Sequence, residues 1–272
     1  MKFNSLPEIL ILIIIITLLT FIILKIIFDN HIHFIDENIF KDRKLQIKLI
    51  TLPKDEWKQN RFKKSMMINN QYFNYNIWEG ILLRDKPYLL DWAIQKKYTK
   101  SPSNPDAKGN IGSALAHITL WEKISNADDN ESFLIFEDNA LATKKSWECI
   151  EKLKNLNYDF INLCVVRPTG KKTQINNVLK FEKKILRRNN GPTPNIWLSS
   201  YLITPNGARL FLKELKKNNY DLSIDIIDQC VSRFLHLNTN IKAYVIPEKI
   251  YFTHIQTQSD TRKIENQPKK SF

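Results

Sequence analysis

The segment FLIFEDNALATKKSWECIEKL, residues 133–153, decides the fold of this 272-residue chain. Its first four residues are apolar, which predicts a short buried strand. Apolar residues then recur near helical spacing, which predicts a following helix, at Ala142, Trp147, Ile150 and Leu153. Between the two elements stand Glu137, Asp138 and Asn139. Because ligands of open α/β sheets bind outside the carboxyl ends of the strands, these three residues are candidates for a functional site.

The segments on either side repeat the alternation of strand and helix. Continuous or alternating apolar residues predict strands at residues 44–52, 159–166 and 197–204. Helical periodicity predicts helices at residues 109–124 and 208–215, the second after a turn at Pro205-Asn206-Gly207. Strands that alternate with helices predict an α/β fold. No internal repeat or change of composition suggests a second domain.

The N-terminal segment is unlike the rest of the chain. Residues 9–28 are almost wholly apolar, interrupted only by Thr17, Thr20 and Lys25, and a helix of this length matches a hydrocarbon core of ~30 Å. No small-residue cleavage site follows, which disfavours a signal peptide. We therefore expect residues 1–28 to be an uncleaved membrane anchor. A buried core helix is the less favoured alternative, because the segment has no polar stripe.

The anchor predicts a single-pass membrane protein whose compartment and orientation stay open. Positive charges lie on both sides of the apolar segment, at Lys2 and from Lys41 onward, so the positive-inside rule does not set the topology. Residues 29–43 read as a polar stem and residues 257–272 as a loosely held, polar and basic tail. The globular domain is then expected to span residues 44–256.

The composition disfavours two classes of protein. The net charge of +13 would suit an anionic partner, but the lysine pairs are scattered and no nucleic-acid-binding motif accompanies them, which disfavours nucleic-acid binding. Three cysteines are an odd number, and none has CxxC spacing. They predict core thiols rather than a metal finger or a disulfide framework.

Several strings in the first half of the domain resemble glycosyltransferase family 25, which includes lipopolysaccharide-biosynthesis transferases and procollagen galactosyltransferases. KLITLPKDEWKQNRFKKSM at residues 48–66 resembles the opening strand and Arg-rich helix start, with Lys58 and Gln59 where paired arginines are usual. GNIGSALAHITLWEKI at residues 109–124 is similar to the G-E-I-G-C-A-L-S-H string with its downstream tryptophan. FLIFEDNAL resembles the strand that ends in E-D-D, with Asn139 replacing the last acid.

The second half continues the resemblance in the family's order. SSYLITPNGARLFLKEL at residues 199–215 looks like the Y-L-I-S…G-A…L-L segment. SIDIIDQCVSRF at residues 223–234 supplies the family's late aspartate, matched to Asp225, and THIQTQSDTRK resembles the closing Q…S-D-I string. The resemblance implies a GT-A fold with a mostly parallel sheet, a UDP-sugar or other nucleotide-sugar donor and inverting transfer of a hexose, often galactose or glucose. The implied acceptors are a glycan, lipopolysaccharide or a collagen-like protein.

Sugar transfer from a nucleoside diphosphate needs a counter-charge for the leaving diphosphate. Mn²⁺ or Mg²⁺ serves this purpose and prefers oxygen ligands. Asp138, together with Asn139 or Glu137, is the expected metal side of the site. His254 is a further candidate ligand, although a late loop histidine without a ligand is the more common case. The alternative for Asp138 and Asn139 is a cap for the helix through Trp147.

Gly109 and Gly112 flank a helix start, where unpaired N–H groups favour an anionic phosphate. His117, further along that helix, could bond the donor, and a packed structural histidine is the equally weighted alternative. Glu137 is placed on the donor side as well.

Asp225 and Asp228 are three residues apart, which would place both on one helix face, and either could take the proton of the acceptor hydroxyl. Asp225 is favoured by the family match, and a helix cap is the alternative. The rival to an active enzyme is an inactive relative that keeps the fold as a binding or assembly protein, and Asn139 is the feature that favours it.

Overall fold

The computed structural model describes residues 44–142 apart from 69, 70 and 73, together with residues 150, 153, 156–163, 197–238 and 240–246. It also describes residues 14 and 16–20, and the backbone alone at 33–34, 171–172, 179–180, 187–188, 191–192 and 252–254. Of residues 67, 68, 71 and 72, too, only the backbone is described. The basic tail and most of the expected stem lie outside the described residues.

In the part of the chain that the structure describes, no helix is both long and apolar enough to cross a membrane. Most of the expected anchor, residues 1–28, lies outside the described residues. The anchor therefore stays a prediction.

The described elements alternate as an α/β fold requires. The strands are β1 (His33–Phe34), β2 (Lys44–Thr51), β3 (Met67–Ile68), β4 (Gln71–Tyr72), β5 (Asn76–Glu79), β6 (Glu131–Glu137), β7 (Ala140–Ala142), β8 (Phe160–Asn162), β9 (Lys171–Lys172), β10 (Leu179–Lys180), β11 (Arg187–Arg188), β12 (Gly191–Pro192), β13 (Ser200–Ile203), β14 (Ala243–Val245) and β15 (Phe252–His254). The helices are α1 (Glu56–Ser65), α2 (Tyr88–Gln95), α3 (Lys108–Ser125), α4 (Pro205–Asn218) and α5 (Ile227–Leu237).

Eight of the described strands form a central sheet in the order β5-β2-β6-β13-β8-β14-β10-β9. β5, β2 and β6 are parallel neighbours, as are β8 and β14. β13 is inserted antiparallel between β6 and β8, so the strands on its two sides run in the same direction. The prediction of an α/β fold with a mostly parallel central sheet is confirmed, with β13 and β10 as the reversed strands.

Two predicted boundaries are wrong because local capping and pairing override the apolar pattern. Pro205-Asn206-Gly207 is not a turn before α4 but its first turn: the Thr204 side chain accepts a hydrogen bond from the Gly207 amide at 3.1 Å, and proline is tolerated at the first helical position. Ala142 is not helical but the last residue of β7, which pairs with β15. Residues 143–149, where the predicted helix would begin, lie outside the described residues.

The central sheet separates two apolar cores. On one face, the α3 face, β-strand residues such as Ile135 and Tyr201 pack with Trp121 of α3 and Phe211 of α4. On the other, the α1 face, Leu134 and its neighbours pack with Phe62 of α1. Because side chains of a strand alternate between faces, odd-numbered residues of β6 enter the α3 face and even-numbered ones the α1 face.

Glycines set how closely two helices approach the rest of the fold. A Cβ atom at Gly112 of α3 would lie 2.4 Å from the carbonyl oxygen of Ile81, and one at Gly207 of α4 would lie 2.2 Å from that of Asp159. Both distances are far inside van der Waals contact. Only glycine therefore permits these backbone contacts.

Replacing Gly112 by alanine should consequently destabilise the protein. The added methyl group must displace backbone rather than a flexible side chain, so we expect Gly112→Ala to lower the free energy of unfolding by about 3 kcal/mol. The measurement is urea denaturation of the full-length chain. Ser113→Ala, on the adjacent half-buried residue of α3, is the matched control and should change it by no more than about 0.5 kcal/mol. Equal stability of the two variants would contradict the packing role of Gly112.

Candidate functional site

The residues Glu137, Asp138 and Asn139 lie at the carboxyl end of β6, as expected from the sequence, but they do not form one cluster. Glu137 continues the alternation of the strand onto the α3 face, where it meets His117. Asp138 turns to the α1 face, where it meets Thr51 and Lys58. The end of this strand therefore carries two polar sites on opposite faces of the sheet.

On the α1 face, Asp138 is held by a lysine. Both of its carboxylate oxygens lie 3.3 Å from Nζ of Lys58, and Thr51 Oγ1 donates to Oδ2 at 3.0 Å. The Lys58 ammonium also lies 3.2 Å from Asp55 and is only 5% exposed. Burial raises the pKa of Asp138, and the neighbouring Lys58 charge and the Thr51 hydrogen bond oppose that shift. Lys58 is thus a buried cation shared by two carboxylates.

A second cation and an aromatic ring extend this site toward solvent. Arg61 donates from Nη2 to the backbone carbonyl oxygen of Asp138 at 3.1 Å. Its guanidinium lies 4.9 Å from the ring centroid of Trp57, which is 54% exposed. Sequence reasoning noted Lys58 only as a departure from the family and did not predict these contacts. The spacing of Asp55, Lys58 and Arg61 by one helical turn each was the available signal.

Asn139 is not a helix cap within the described residues. It lies in the turn between β6 and β7, and strand β7 begins at the next residue. Among the described residues, its buried Oδ1 atom has no hydrogen-bond partner. Buried acceptors usually have a partner, so this atom is a candidate ligand atom.

On the α3 face, Glu137 ends a chain of buried polar side chains. Nε2 of His117 lies 3.2 Å from Glu137 Oε1, and Nδ1 lies 2.9 Å from the hydroxyl of Tyr201. Trp121 donates from Nε1 to the same hydroxyl at 3.0 Å. His117 is fully buried, whereas the Glu137 side chain is 26% exposed. The sequence analysis did not identify Tyr201, because this residue lies in the string SSYLIT, whose apolar pattern predicts only a buried strand.

The two late aspartates are not on one helix face, contrary to the expectation from their spacing. Helix α5 begins at Ile227, so Asp225 precedes it and only Asp228 lies in its first turn. Asp225 pairs with Arg233 at 2.8 Å. Asp228 accepts a hydrogen bond from the Leu198 amide at 3.3 Å.

Asp228 is close enough to Glu137 for the charge of one carboxylate to affect the pKa of the other. Burial, followed by the negative charge of Glu137, raises the pKa of Asp228 to about 7, and the hydrogen bond from the Leu198 amide opposes the shift. The α3 face therefore holds two coupled carboxyl groups, one of which titrates near neutral pH. Unequal carboxyl groups of this kind are suited to proton transfer.

Neither glycine of the expected phosphate loop is brought to these sites by a described contact. Gly112 is explained by its backbone contact with Ile81. Gly109 lies in the first turn of α3, buried like Gly112. Their role on the donor side stays a prediction.

The residues that could hold a divalent ion fit it only in part. Among the described residues, no group of three or more histidine, cysteine, aspartate or glutamate side chains could do so. Asp138 and Asn139 offer two of the oxygen ligands that Mn²⁺ and Mg²⁺ prefer, but Lys58 already neutralises Asp138. The backbone of His254 pairs with Ala140 beside this turn, and its side chain lies outside the described residues. A bound ion would have to complete its shell from the donor's phosphates.

Comparison with known proteins decides the family. Residues 44–228, more than half of the chain, match the model of glycosyltransferase family 25, the lipopolysaccharide-biosynthesis protein family. The chain belongs to glycosyltransferase family 25. The match begins at the first residue of β2 and ends at Asp228, so it spans both polar sites.

Curated proteins and solved structures show less similarity to this member of family 25. A search of curated proteins gave no match. A Bacillus anthracis protein described as a glucose-1-phosphate thymidylyltransferase, in complex with sucrose, is 11% identical with a TM-score of 0.39, over 87% of this chain and 82% of that one. A glycosyltransferase involved in glycosylating the major capsid of PBCV-1 is 12% identical with a TM-score of 0.37, over 82% and 99%. At these scores the assignment to family 25 rests on the family match alone.

Proposed function

We propose that this family 25 glycosyltransferase moves a hexose, galactose or glucose, from a nucleoside-diphosphate sugar to a hydroxyl group of a glycan or glycoprotein acceptor. The observation that carries the proposal is the pair of polar sites at the carboxyl end of β6. Cations line one of them, and coupled carboxyl groups line the other. A transfer of this kind needs a counter-charge for the departing diphosphate and a base for the attacking hydroxyl.

The carboxyl pair on the α3 face is the proposed catalytic side. The ionised form of Asp228 takes the proton of the acceptor hydroxyl while that oxygen bonds to the anomeric carbon of the donor sugar. The bond from that carbon to the diphosphate oxygen breaks, and inversion at the anomeric carbon follows from attack opposite the leaving group. Asp228 is preferred to Asp225, because Asp225 is paired with Arg233 whereas Asp228 is coupled to Glu137.

The cations on the α1 face are the proposed leaving-group side. Arg61 places positive charge beside the Asp138 turn, where it would attract the donor's diphosphate, while the charge of the buried Lys58 is shared by Asp55 and Asp138. A divalent ion held by Asp138 and Asn139, with His254 as a further candidate ligand, would supply additional charge neutralisation to the departing phosphates. Trp57, exposed next to Arg61, offers a flat surface on which a sugar ring or nucleobase could stack.

The experiment that tests the function is release of nucleoside diphosphate. The full-length chain is incubated with a panel of nucleotide sugars and Mn²⁺ in the presence of glycan, lipopolysaccharide and collagen-like acceptors. Release that depends on donor and acceptor supports the proposal. Binding of a nucleotide sugar without any release would support the second candidate, an inactive relative that binds donor or assembles with partners. The pairing of Lys58 with Asp138 is the observation that favours this candidate.

The choice of base gives a matched pair of variants. Asp228→Asn keeps the shape and removes the proton acceptor, so kcat should fall by roughly 10²-fold with little change in donor binding. Asp225→Asn should keep most of the activity, since its partner is Arg233. Loss of kcat in Asp225→Asn alone would show that the base is Asp225.

The pH profile checks the same assignment. The base must be ionised, and the pKa of Asp228 is about 7, so kcat/KM should rise with pH through about 7 and then level off. Glu137→Gln removes a charge that raises this pKa and should move the rise to lower pH. A profile that is flat between pH 5 and 8 would contradict the role of Asp228.

The proposed metal side predicts competition between Lys58 and the ion. Asp138→Ala should abolish binding of Mn²⁺ in the presence of nucleoside diphosphate, and Asn139→Asp should tighten it roughly tenfold by adding one charge. Lys58→Met should also tighten it, because the competing ammonium is removed. Calorimetric titrations with and without the diphosphate measure these changes. Equal Mn²⁺ affinity of the wild type and Asp138→Ala would show that the turn is not a metal site.

Residues 1–28 are proposed to anchor this transferase in a membrane, on the unbroken apolar segment. The full-length chain should then stay with the membrane fraction after alkaline carbonate washing, as judged by immunoblotting. Release into the wash, or a processed N-terminus near residue 29 found by mass spectrometry, would show that the segment is not an anchor.

A further inference from the structure

Three fully buried side chains on the α3 face form a polar chain that ends at the partly exposed Glu137. They are Trp121 and His117 of α3 and Tyr201 of β13, each less than 1% exposed. The links are 3.0 Å from Trp121 Nε1 to Tyr201 Oη, 2.9 Å from Tyr201 Oη to His117 Nδ1 and 3.2 Å from His117 Nε2 to Glu137 Oε1. The chain thus connects the interior of the core to the candidate site.

The chemistry of the first side chain gives the direction of every hydrogen bond. An indole N–H can only donate, so the Tyr201 hydroxyl accepts from Trp121. The Tyr201 hydroxyl has no other acceptor among the described residues, so its proton is directed to Nδ1 of His117, which is then the unprotonated nitrogen of the ring. A neutral imidazole in this tautomer carries its proton on Nε2 and donates it to the carboxylate of Glu137.

We propose that His117 is a positioning residue which holds the Glu137 carboxylate in one orientation at the site, and that Tyr201 fixes the tautomer in which it does so. The expected effect on turnover rests on the proposed function, whereas the expected tautomer does not. Glu137 is the group that contacts the ligand. His117 and Tyr201 act through it.

The network differs from ordinary core packing because burying its polar atoms costs free energy that apolar side chains do not cost. Burying a hydroxyl and an imidazole is unfavourable unless both are hydrogen-bonded, and here both groups have their partners within the chain of contacts. The rings also pack with one another, with centroids of His117 and Tyr201 5.7 Å apart. Packing alone would not require a donor directed at the exposed carboxylate. Holding Glu137 beside Asp228 gives the polar chain a function in the site.

The tautomer is tested by nitrogen NMR, independently of activity. The full-length chain is labelled with ¹⁵N-histidine, and the His117 signals are assigned as those missing from His117→Gln among the five histidines. We expect the neutral Nε2–H tautomer in the wild type. In Tyr201→Phe the hydroxyl that fixes the tautomer is gone, and we expect a mixture of the two neutral forms or a protonated ring.

The positioning role is tested by kinetics with a matched control. Tyr201→Phe keeps the ring and removes one buried hydroxyl, and we expect kcat to fall roughly tenfold with KM for donor and acceptor nearly unchanged. Tyr158→Phe removes another buried tyrosine hydroxyl, which donates to Ser132 Oγ at 3.0 Å and belongs to the core on the α1 face. Its kcat should equal that of the wild type, whereas its melting temperature should fall by about as much as that of Tyr201→Phe.

A conservative substitution of His117 tests whether a hydrogen-bond donor at this position is enough to retain turnover. The amide of His117→Gln can still donate a hydrogen bond toward Glu137, whereas His117→Leu cannot. We expect His117→Gln to retain several-fold more kcat than His117→Leu, with circular dichroism showing that both are folded. If His117→Leu does not fold, the Tyr201→Phe and Tyr158→Phe pair still gives the comparison.

The outcomes separate this inference from the proposed function. A wild-type Nδ1–H tautomer or a protonated imidazole overturns the assigned hydrogen-bond chain whether or not the enzyme transfers sugar. The expected tautomer with an unchanged kcat in Tyr201→Phe overturns the positioning role. If the wild type releases no diphosphate from any donor, the proposed transfer fails, and the NMR result still upholds or overturns the hydrogen-bond chain.

Discussion

The two-residue period of strand β6 is the constraint on which the candidate site depends. Successive side chains of a strand point to opposite faces, so the adjacent acids Glu137 and Asp138 cannot share one environment. Glu137 enters a face with buried polar side chains and a second carboxyl group, and Asp138 enters a face with a lysine. Lys58 is thereby paired with Asp138 on one face of the sheet, apart from the carboxyl groups on the other face.

Burial then determines what each of these acids can do. Asp138 is stabilised as an anion by Lys58 and Thr51 against the cost of desolvation. Asp228 has no lysine or arginine partner among the described residues, and burial, followed by the nearby charge of Glu137, raises its pKa to about 7. One acid is therefore matched to a cation, while the other is poised near neutral pH. This difference distinguishes a group suited to charge compensation from one suited to proton transfer.

Close packing of helices α3 and α4 against neighbouring backbone fixes the position of side chains at the site. Gly112 allows α3 to approach the carbonyl oxygen of Ile81, and Gly207 does the same for α4 at Asp159. His117 lies on α3 just over one turn beyond Gly112, so the position of that helix determines where the imidazole meets Glu137. Gly112 of the family-like string therefore has a packing role, whatever its role toward a donor.

The sequence by itself determined the fold class, a strand at residues 133–136, a helix over residues 109–124 and the family, since apolar periodicity and motif order are local properties of the chain. It also indicated that the three polar residues after β6 lie at the ligand-binding edge.

Only the tertiary structure decided their partners. The contacts of Asp138 with Lys58, and of His117 with Glu137 and Tyr201, join residues 20 to 84 positions apart. The start of α5 separates Asp225 from Asp228, and neither the capping of a helix nor the pairing of β7 follows from apolar spacing. Partners that meet through long-range packing leave no periodic signal in a single sequence, and so the roles of these residues emerge only when the chain is folded.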